Sequence, residues 1–341
     1  MHKQVIERFS GIYEINLYQG RYEIHIYLIT GKTGQRNLLI DTGYKTQENR
    51  EIFNQVFEEL GIKYHEIDVF LTHKHHDHTG LAAYFQEQGA TIFMNPIEDR
   101  HRYDCLYYGY GPKSINEQTK VLKLVGVTPE RTPMIWNSFQ EFNAYYENTK
   151  KEEAFKINTF DYTPIECGQL LSYGEYNFKV ISLAGHTLGQ LGLYEPTHHI
   201  VFSADHIIEG LAPIVGTSYV NEHLLQQYFR SLEQFKTQYR TCMIYPSHGN
   251  SFSNPTPIAA EIISAYRKKL LQMQHILLNS AKALTIQEIA FRTYGIQTLP
   301  NDANRFFKIK SILSKTFSCM EYLYDQNYCN RMEQDGILFY R

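Results

Sequence analysis

No stretch of this chain approaches the roughly 20 consecutive apolar residues that a membrane-spanning helix requires, so no such segment is expected. The opening Met1-His2-Lys3-Gln4 lacks the apolar core of a secretion signal. Cysteine is sparse: Cys105, Cys167, Cys242, Cys319 and Cys329 are odd in number, scattered and never spaced as Cys-x-x-Cys. That excludes a disulfide scaffold and predicts reduced thiols in a cytoplasmic protein. A bias of charge is missing too. The net charge of −3 and pI near 6.6 give no electrostatic footprint for nucleic acid or acidic membrane. Residues 256–341 alone lean the other way, with 11 Lys/Arg against 7 Asp/Glu, which keeps a nucleic-acid partner open as a less favoured alternative to a small-molecule substrate. Gly31-Lys32-Thr33 lacks the first glycine of a phosphate-binding loop and no helix pattern follows it, so it reads as a turn.

What is present is apolar and patterned. Hydrophobic residues make up 43% of 341, enough for a sizeable core, and the length implies two domains or one with an appendage. Ile12, Tyr13, Ile15 and Leu17, then Tyr22, Ile24, Ile26 and Leu28, then Leu38 to Ile40, follow strand patterning, with glycines at the turns. Glu48 to Leu60 places Ile52, Phe53, Val56, Phe57 and Leu60 on one helical face and stops at Gly61. A strand over Ile67 to Leu71, a helix over Leu81 to Gln88 and a strand over Thr91 to Met94 continue a βαβ alternation of the α/β class. The stripe Leu224, Leu225, Tyr228, Phe229, Leu232 and Phe235 marks a helix within Asn221 to Tyr239.

Between two of these elements sits His73-Lys74-His75-His76-Asp77-His78-Thr79-Gly80. Imidazole nitrogen and carboxylate oxygen are the donors that zinc and similar first-row metals accept. At a strand end His73 and His75 share one direction, and the turn brings Asp77 and His78 onto an adjacent position. The octapeptide therefore predicts parts of two metal sites. Gly185-His186-Thr187, Ala204-Asp205-His206 and Ser247-His248-Gly249 each follow another strand-like run and add donors at three further strand ends.

His-x-His-x-Asp-His followed in order by Gly-His-Thr, Asp and Ser-His-Gly resembles the metallo-β-lactamase-fold hydrolase superfamily, over roughly residues 11 to 250. Ala204-Asp205-His206-Ile207-Ile208 and the C-terminal region are most similar to its glyoxalase-II-like and LACTB2-like branch. The resemblance implies an αββα sandwich. It implies His73, His75 and His186 on one metal, Asp77, His78 and His248 on a second, and Asp205 between them. Zinc is expected first, with manganese and iron accepted by the same donors. Two such metals hold a bridging hydroxide at neutral pH, with Asp77 as both ligand and orienter of the nucleophile and His206 as an acid or supporting group. Asp41, in Leu39-Ile40-Asp41-Thr42-Gly43, is implied to support the metal loop by hydrogen bonding. His75 stands where oxygen-reducing di-iron relatives carry Glu, which argues against that branch. A thioester or lactone substrate is expected. A phosphodiester, specifically RNA, is the alternative, and a non-catalytic nucleic-acid-binding protein on the same scaffold is a third reading.

Two regions lie outside this pattern. Residues 96–164 lose the strand pattern and are rich in Tyr and Phe, with the single Trp136; they read as a helical insertion in a catalytic domain spanning 1–255, either a pocket wall or a mini-core of its own. After Ser251 to Pro257 come helices over Ile258 to Asn279, Thr285 to Tyr294 and Ala303 to Tyr324, then a hairpin turning at Asp335-Gly336. Residues 256–341 thus resemble a winged-helix module. Arg305, Lys308, Lys310 and Lys315 are its candidates for phosphate contact, with packing or homodimerisation the favoured role.

Overall fold

The computed structural model describes residues 5–100, 112–148, 159–297 and 305–341. Cys105, the N-terminal tetrapeptide, the part of the insertion around Tyr103 and the Ala303 start of the last helix lie outside those residues.

The elements run β1 (Val5–Phe9), β2 (Ile12–Gln19), β3 (Tyr22–Ile29), β4 (Asn37–Ile40), α1 (Gln47–Leu60), β5 (Ile67–Phe70), α2 (His76–Thr79), α3 (Ala82–Glu87), β6 (Thr91–Met94) and α4 (Pro96–Arg100). There follow α5 (Pro112–Leu124), α6 (Pro133–Asn148), β7 (Thr163–Pro164), β8 (Leu170–Tyr173), β9 (Tyr176–Ser182), β10 (Leu191–Glu195), β11 (Ile200–Ala204), α7 (Leu224–Lys236), β12 (Met243–Pro246) and β13 (Phe252–Ser253). The chain closes with α8 (Thr256–Leu278), β14 (Leu284–Thr285), α9 (Ile286–Tyr294), α10 (Arg305–Asp325), β15 (Arg331–Gln334) and β16 (Ile337–Tyr340).

One sheet has the order β1-β2-β3-β4-β5-β6-β7, antiparallel up to β4 and parallel beyond it; the other has the order β13-β12-β11-β10-β9-β8. Alternation along each strand decides what lies between them. Tyr27, Ile29, Leu38, Ile40 and Phe70 of the first sheet meet Phe178, Val180, Leu193, Ile200 and Phe202 of the second in one buried layer. The opposite face of the first sheet, with Ile15, Leu17, Ile26 and Val69, is covered by Phe53, Val56 and Phe57 of α1 and Phe85 of α3. On the second sheet Phe235 and Tyr239 stack with His206 and Tyr194. The result is the expected αββα sandwich. Helix α1 starts where Thr46 accepts from the Asn49 N–H at 3.1 Å and ends at Gly61, whose φ of 67° glycine adopts without strain.

Packing groups the chain differently from a cut at residue 255. One compact unit takes in 1–100, 152–213 and 233–258; the other takes in 101–151, 214–232 and 259–341. The insertion helices α5 and α6 therefore share a unit with the C-terminal helices. Phe139 and Phe142 of α6 pack on Phe306 of α10 at centroid distances of 5.2 and 5.4 Å, and the Gln287 N–H donates to Val125 O at 2.9 Å. Phe139 and Phe142 of α6 thus serve a core, one shared with the C-terminal helices rather than confined to the insertion.

Within this second unit, β14, α9, α10, β15 and β16 run in that order, and β16 pairs with both β14 and β15. A capping box joins Thr285 and Glu288 at the start of α9. Asp335 and Gly336 turn the hairpin with φ of 53° and 75°. Helix α10 is not offered to solvent. From Phe306 to Asp325 only Lys308 is exposed. Lys310 is fully buried with its Nζ 4.9 Å from the Phe142 ring centroid, and Lys315 lies 5.1 Å over Tyr266. These two lysines do not face phosphates, because their apolar stems and ammonium heads are used in packing.

Candidate dinuclear metal centre

The site is assembled from strand ends. Strand β4 delivers Asp41, β5 delivers Thr72 and the octapeptide, β9 leads to His186, β11 to Asp205 and β12 to His248. Asp41 and Ala204 hold φ of 66° and 47°, positions that turn the chain sharply just past a strand. Within the octapeptide the chain does not remain a loop until Leu81: His78 N–H and Thr79 N–H both donate to His75 O at 3.0 Å, forming the short turn α2. Gly80 lets the Asp41-Thr42-Gly43 turn lie against it, since a Cβ there would stand 2.5 Å from Gly43 O. Thr42 seals that contact by donating from N and Oγ1 to His78 O at 2.7 and 2.9 Å.

All seven sequence-predicted donors come together. His73, His75, His186 and Asp205 form one group and Asp77, His78, Asp205 and His248 another, each with its donor atoms within 4.8 Å of one another. His75 Nδ1 lies 2.9 Å from both His73 Nε2 and His186 Nε2, and Asp205 Oδ2 lies 3.4 Å from His186 Nε2. In the second group Asp205 Oδ1 lies 3.4 Å from His78 Nε2 and 3.5 Å from His248 Nε2, while Asp77 Oδ2 lies 3.4 Å from His248 Nε2. Ligands about 2.0–2.1 Å from one tetrahedral ion stand roughly 3.3 Å apart, so the spacing fits a cation in each group. The orphaned atoms fit as well. Asp77 Oδ1, His78 Nε2 and Asp205 Oδ1 are buried with no hydrogen-bond partner among the described residues, a costly state unless a ligand completes it. The two oxygens of Asp205 divide between the groups.

The family model of the metallo-beta-lactamase superfamily matches residues 20–248, more than half of the chain and every one of these donors. The chain belongs to the metallo-beta-lactamase superfamily. It is a metal-dependent hydrolase of that superfamily. Among solved structures it is similar to a metallo-beta-lactamase family protein of Thermus thermophilus, with 20% identity, a TM-score of 0.70 and coverage of 98% of this chain and 99% of that one. A beta-lactamase domain protein of Burkholderia ambifaria is 18% identical, with a TM-score of 0.77 and coverage of 98% and 93%. Both likenesses concern the fold and extend across the C-terminal helices.

Electrostatics differ between the two groups of this superfamily site. Burial, reinforced by the neighbouring imidazoles, holds His73 and His75 well below the usual histidine range, so both present neutral nitrogen. Burial also opposes charge on His78 and His248, but carboxylates override it. Asp205, Asp41 and Asp77 raise His78 well above its ordinary value, and Asp205 and Asp77 raise His248 to about 9. The same attraction, working against burial, lowers Asp77 strongly and Asp205 to about 2.

Supporting groups fix the aim of these rings. Asp41 Oδ2 accepts from His78 Nδ1 at 2.7 Å, leaving Nε2 for the cluster, and the Thr72 N–H donates to Asp41 Oδ1 at 2.8 Å. Thr72 Oγ1 lies 2.8 Å from Asp41 Oδ2 and 3.0 Å from His73 Nδ1. His248 Nδ1 donates to the Glu23 carbonyl at 2.6 Å. Glu98, buried in α4, accepts backbone N–H groups from the loops of His73 and His186. Orientation by the far ring nitrogen is how such sites set tautomer and direction. Asp41 had been implied by resemblance; Thr72 and Glu98 had not. Thr72 directly precedes the motif, which is a usable signal. Glu98 has none.

His206 departs from the set. Its ring is fully buried and stacks on Phe235 at 5.7 Å. Burial, with help from His186 and against a hydrogen bond to the Leu183 backbone carbonyl, lowers it to about 3. A neutral imidazole packed into the core does not serve as a proton donor to a leaving group. The fourth imidazole of the octapeptide, His76, sits beside Tyr44 rather than in either group.

Proposed function

We propose that His73, His75 and His186 hold one divalent cation, that Asp77, His78 and His248 hold a second with Asp205 shared, and that the centre hydrolyses a small thioester, with a lactone next in order. The gathering of seven donors with three unbonded buried donor atoms supports this reading. Zinc is the first choice, since five of the seven donors are imidazoles.

When bound, two such cations supply an activated water and polarise the bond it attacks. The chain's own residues do the rest. Asp77 turns Oδ2 toward His248, and its carboxylate would hold the second cation and orient the water that this cation supplies. Asp41 and the Glu23 carbonyl hold the His78 and His248 rings against rotation. His248 is the most exposed member at 24%, so substrate approaches from its side.

Leaving-group chemistry supports the thioester. With His206 in the core, the acid named from the sequence is not available to an alkoxide, whereas a thiolate leaves unaided because a free thiol has a pKa of only about 8.5. Two of the four bases offered for the RNA alternative, Lys310 and Lys315, are taken up in packing, which weakens that alternative while Lys308 stays exposed. The test is hydrolysis of matched thioester, lactone, phosphodiester and RNA substrates by metal-stripped protein and by protein reloaded with zinc. Metal-dependent thioester cleavage ranking first is expected. Phosphodiester or RNA cleavage ranking first overturns the substrate assignment, and full activity without metal overturns the centre itself.

A further inference from the structure

The two loops that carry the three-histidine group come from different sheets, and one buried carboxylate grips both. Glu98 is 1% exposed and lies in α4, just after β6. Its Oε2 accepts the Lys74 backbone N–H at 2.8 Å, between His73 and His75. Its Oε1 accepts the Gly189 backbone N–H at 2.7 Å, three residues past His186. Asn95 Nδ2 donates to Gly189 O at 2.7 Å, so both polar groups of that glycine are held. A side chain at 189 has no room: its Cβ would stand 2.9 Å from both Glu98 Oε1 and Ile97 Cβ.

A carboxylate suits this place because both of its oxygens meet N–H donors, and bonds to an ionised acceptor are roughly twice as strong as neutral ones. An amide of the same shape offers one oxygen and one N–H₂, which must face a donor. The second group uses other supports, Asp41 for His78 and the Glu23 carbonyl for His248.

We propose that Glu98 is a positioning residue that sets the spacing between His73/His75 and His186, and thereby tunes cation affinity at the three-histidine group alone. The proposal rests on reading that group as a cation site. Supporting partners of this kind are worth roughly tenfold to a hundredfold in metal affinity, and here the effect falls on one site of two.

Stepwise Co²⁺ titration of metal-stripped protein, followed by visible absorption, resolves the two binding steps, and Asp77→Ala shows which step belongs to which group. Glu98→Gln is expected to weaken the three-histidine step by roughly tenfold to a hundredfold and leave the other unchanged, with Glu98→Asp falling between. Equal losses at both steps, or none at either, overturn the role of Glu98. Wild-type protein that takes up no Co²⁺ overturns the cation reading instead. Should the variants fail to fold, amide hydrogen exchange on the wild type decides. Lys74 and Gly189 are expected to be protected to the same degree, and Lys74 exchanging as fast as an unbonded loop amide refutes the shared acceptor.

Discussion

Loading the two groups with cations should differ in proton count. In metal-free protein at pH 7 His248, raised to about 9, carries a proton on Nε2, because Nδ1 is already committed to the Glu23 carbonyl. His78, raised well above its ordinary value and bonded through Nδ1 to Asp41, carries one on Nε2 as well. A cation entering there displaces both. Removing the His248 proton two pH units below its pKa costs about 3 kcal/mol, a hundredfold in affinity, at 1.36 kcal/mol per unit. His73 and His75, held neutral, give up none. Second-site affinity should therefore climb with pH below about pH 9, by a decade per unit for the His248 proton and more steeply wherever His78 is protonated as well, then by less once His248 is already deprotonated. Affinity of the three-histidine group should depend less steeply on pH, since His73 and His75 are already neutral. Calorimetric titration in two buffers of different ionisation enthalpy counts the protons released at each step. Equal release at both steps, or none at the second, would refute the electrostatic asymmetry.

Other consequences are open to measurement. Asp205→Ala should lose at least one bound cation and nearly all hydrolysis; a variant with both ions and full turnover contradicts the shared-carboxylate assignment. Asp41→Asn tolerates the positive φ but loses the charged acceptor of His78, and should weaken second-site binding roughly tenfold to a hundredfold, with a smaller loss at the other step, which Asp41 reaches only through Thr72 and His73. His206→Gln should lower thermal stability by about 1–3 kcal/mol, yet leave turnover of fully loaded protein unchanged, since the ring packs rather than transfers protons. In chelator, the His248 contribution to stability should be fully present below about pH 6.5 and lost as pH rises through about 9, because the folded pKa is the higher one. Melting curves of wild type and His248→Ala across that window check the sign, and parallel curves refute it.

How much of this could be read beforehand follows from where each residue gets its constraint. The seven donors were legible because metal coordination restricts residue type, and strand ends restrict position. Four of them fall within His73 to His78, and His186, Asp205 and His248 each follow a run of apolar residues that announces a strand. The layers were legible for the same reason: the strand pattern of β2 and β3 and the helical stripe of α1 each had one partner face to fill. For His206, adjacency to Asp205 in sequence says nothing about side, so the choice between an acid and a supporting group was not legible there. Past a strand end with Ala204 at φ 47°, the next side chain turns to the opposite layer and meets Phe235.

Glu98 and the lysines of α10 were hidden by a different cause. A glutamate in a short turn after a strand reads as solvated by default, and its burial depends on backbone N–H groups of Lys74 and Gly189, which nearly every residue type offers. Sequence pattern reports on side chains, so a site held by a side chain gripping backbone leaves only the glycine as trace, and Gly189 is one glycine among 21. Lys310 fails in the opposite direction. Its charge advertises a surface, but α10 is enclosed on nearly every side, and Phe142 and Phe306 lie against the ammonium. The pairing of an insertion helix with a helix more than 150 residues later is what buries it, and no local periodicity carries that information. Nucleic-acid binding through α10 would require exposing that core, so a titration with duplex or single-stranded RNA at low salt should show no binding that Lys310→Met or Lys315→Met abolishes. Salt-sensitive binding lost in either variant would mean that α10 can leave its enclosure, and the argument from its burial would fail.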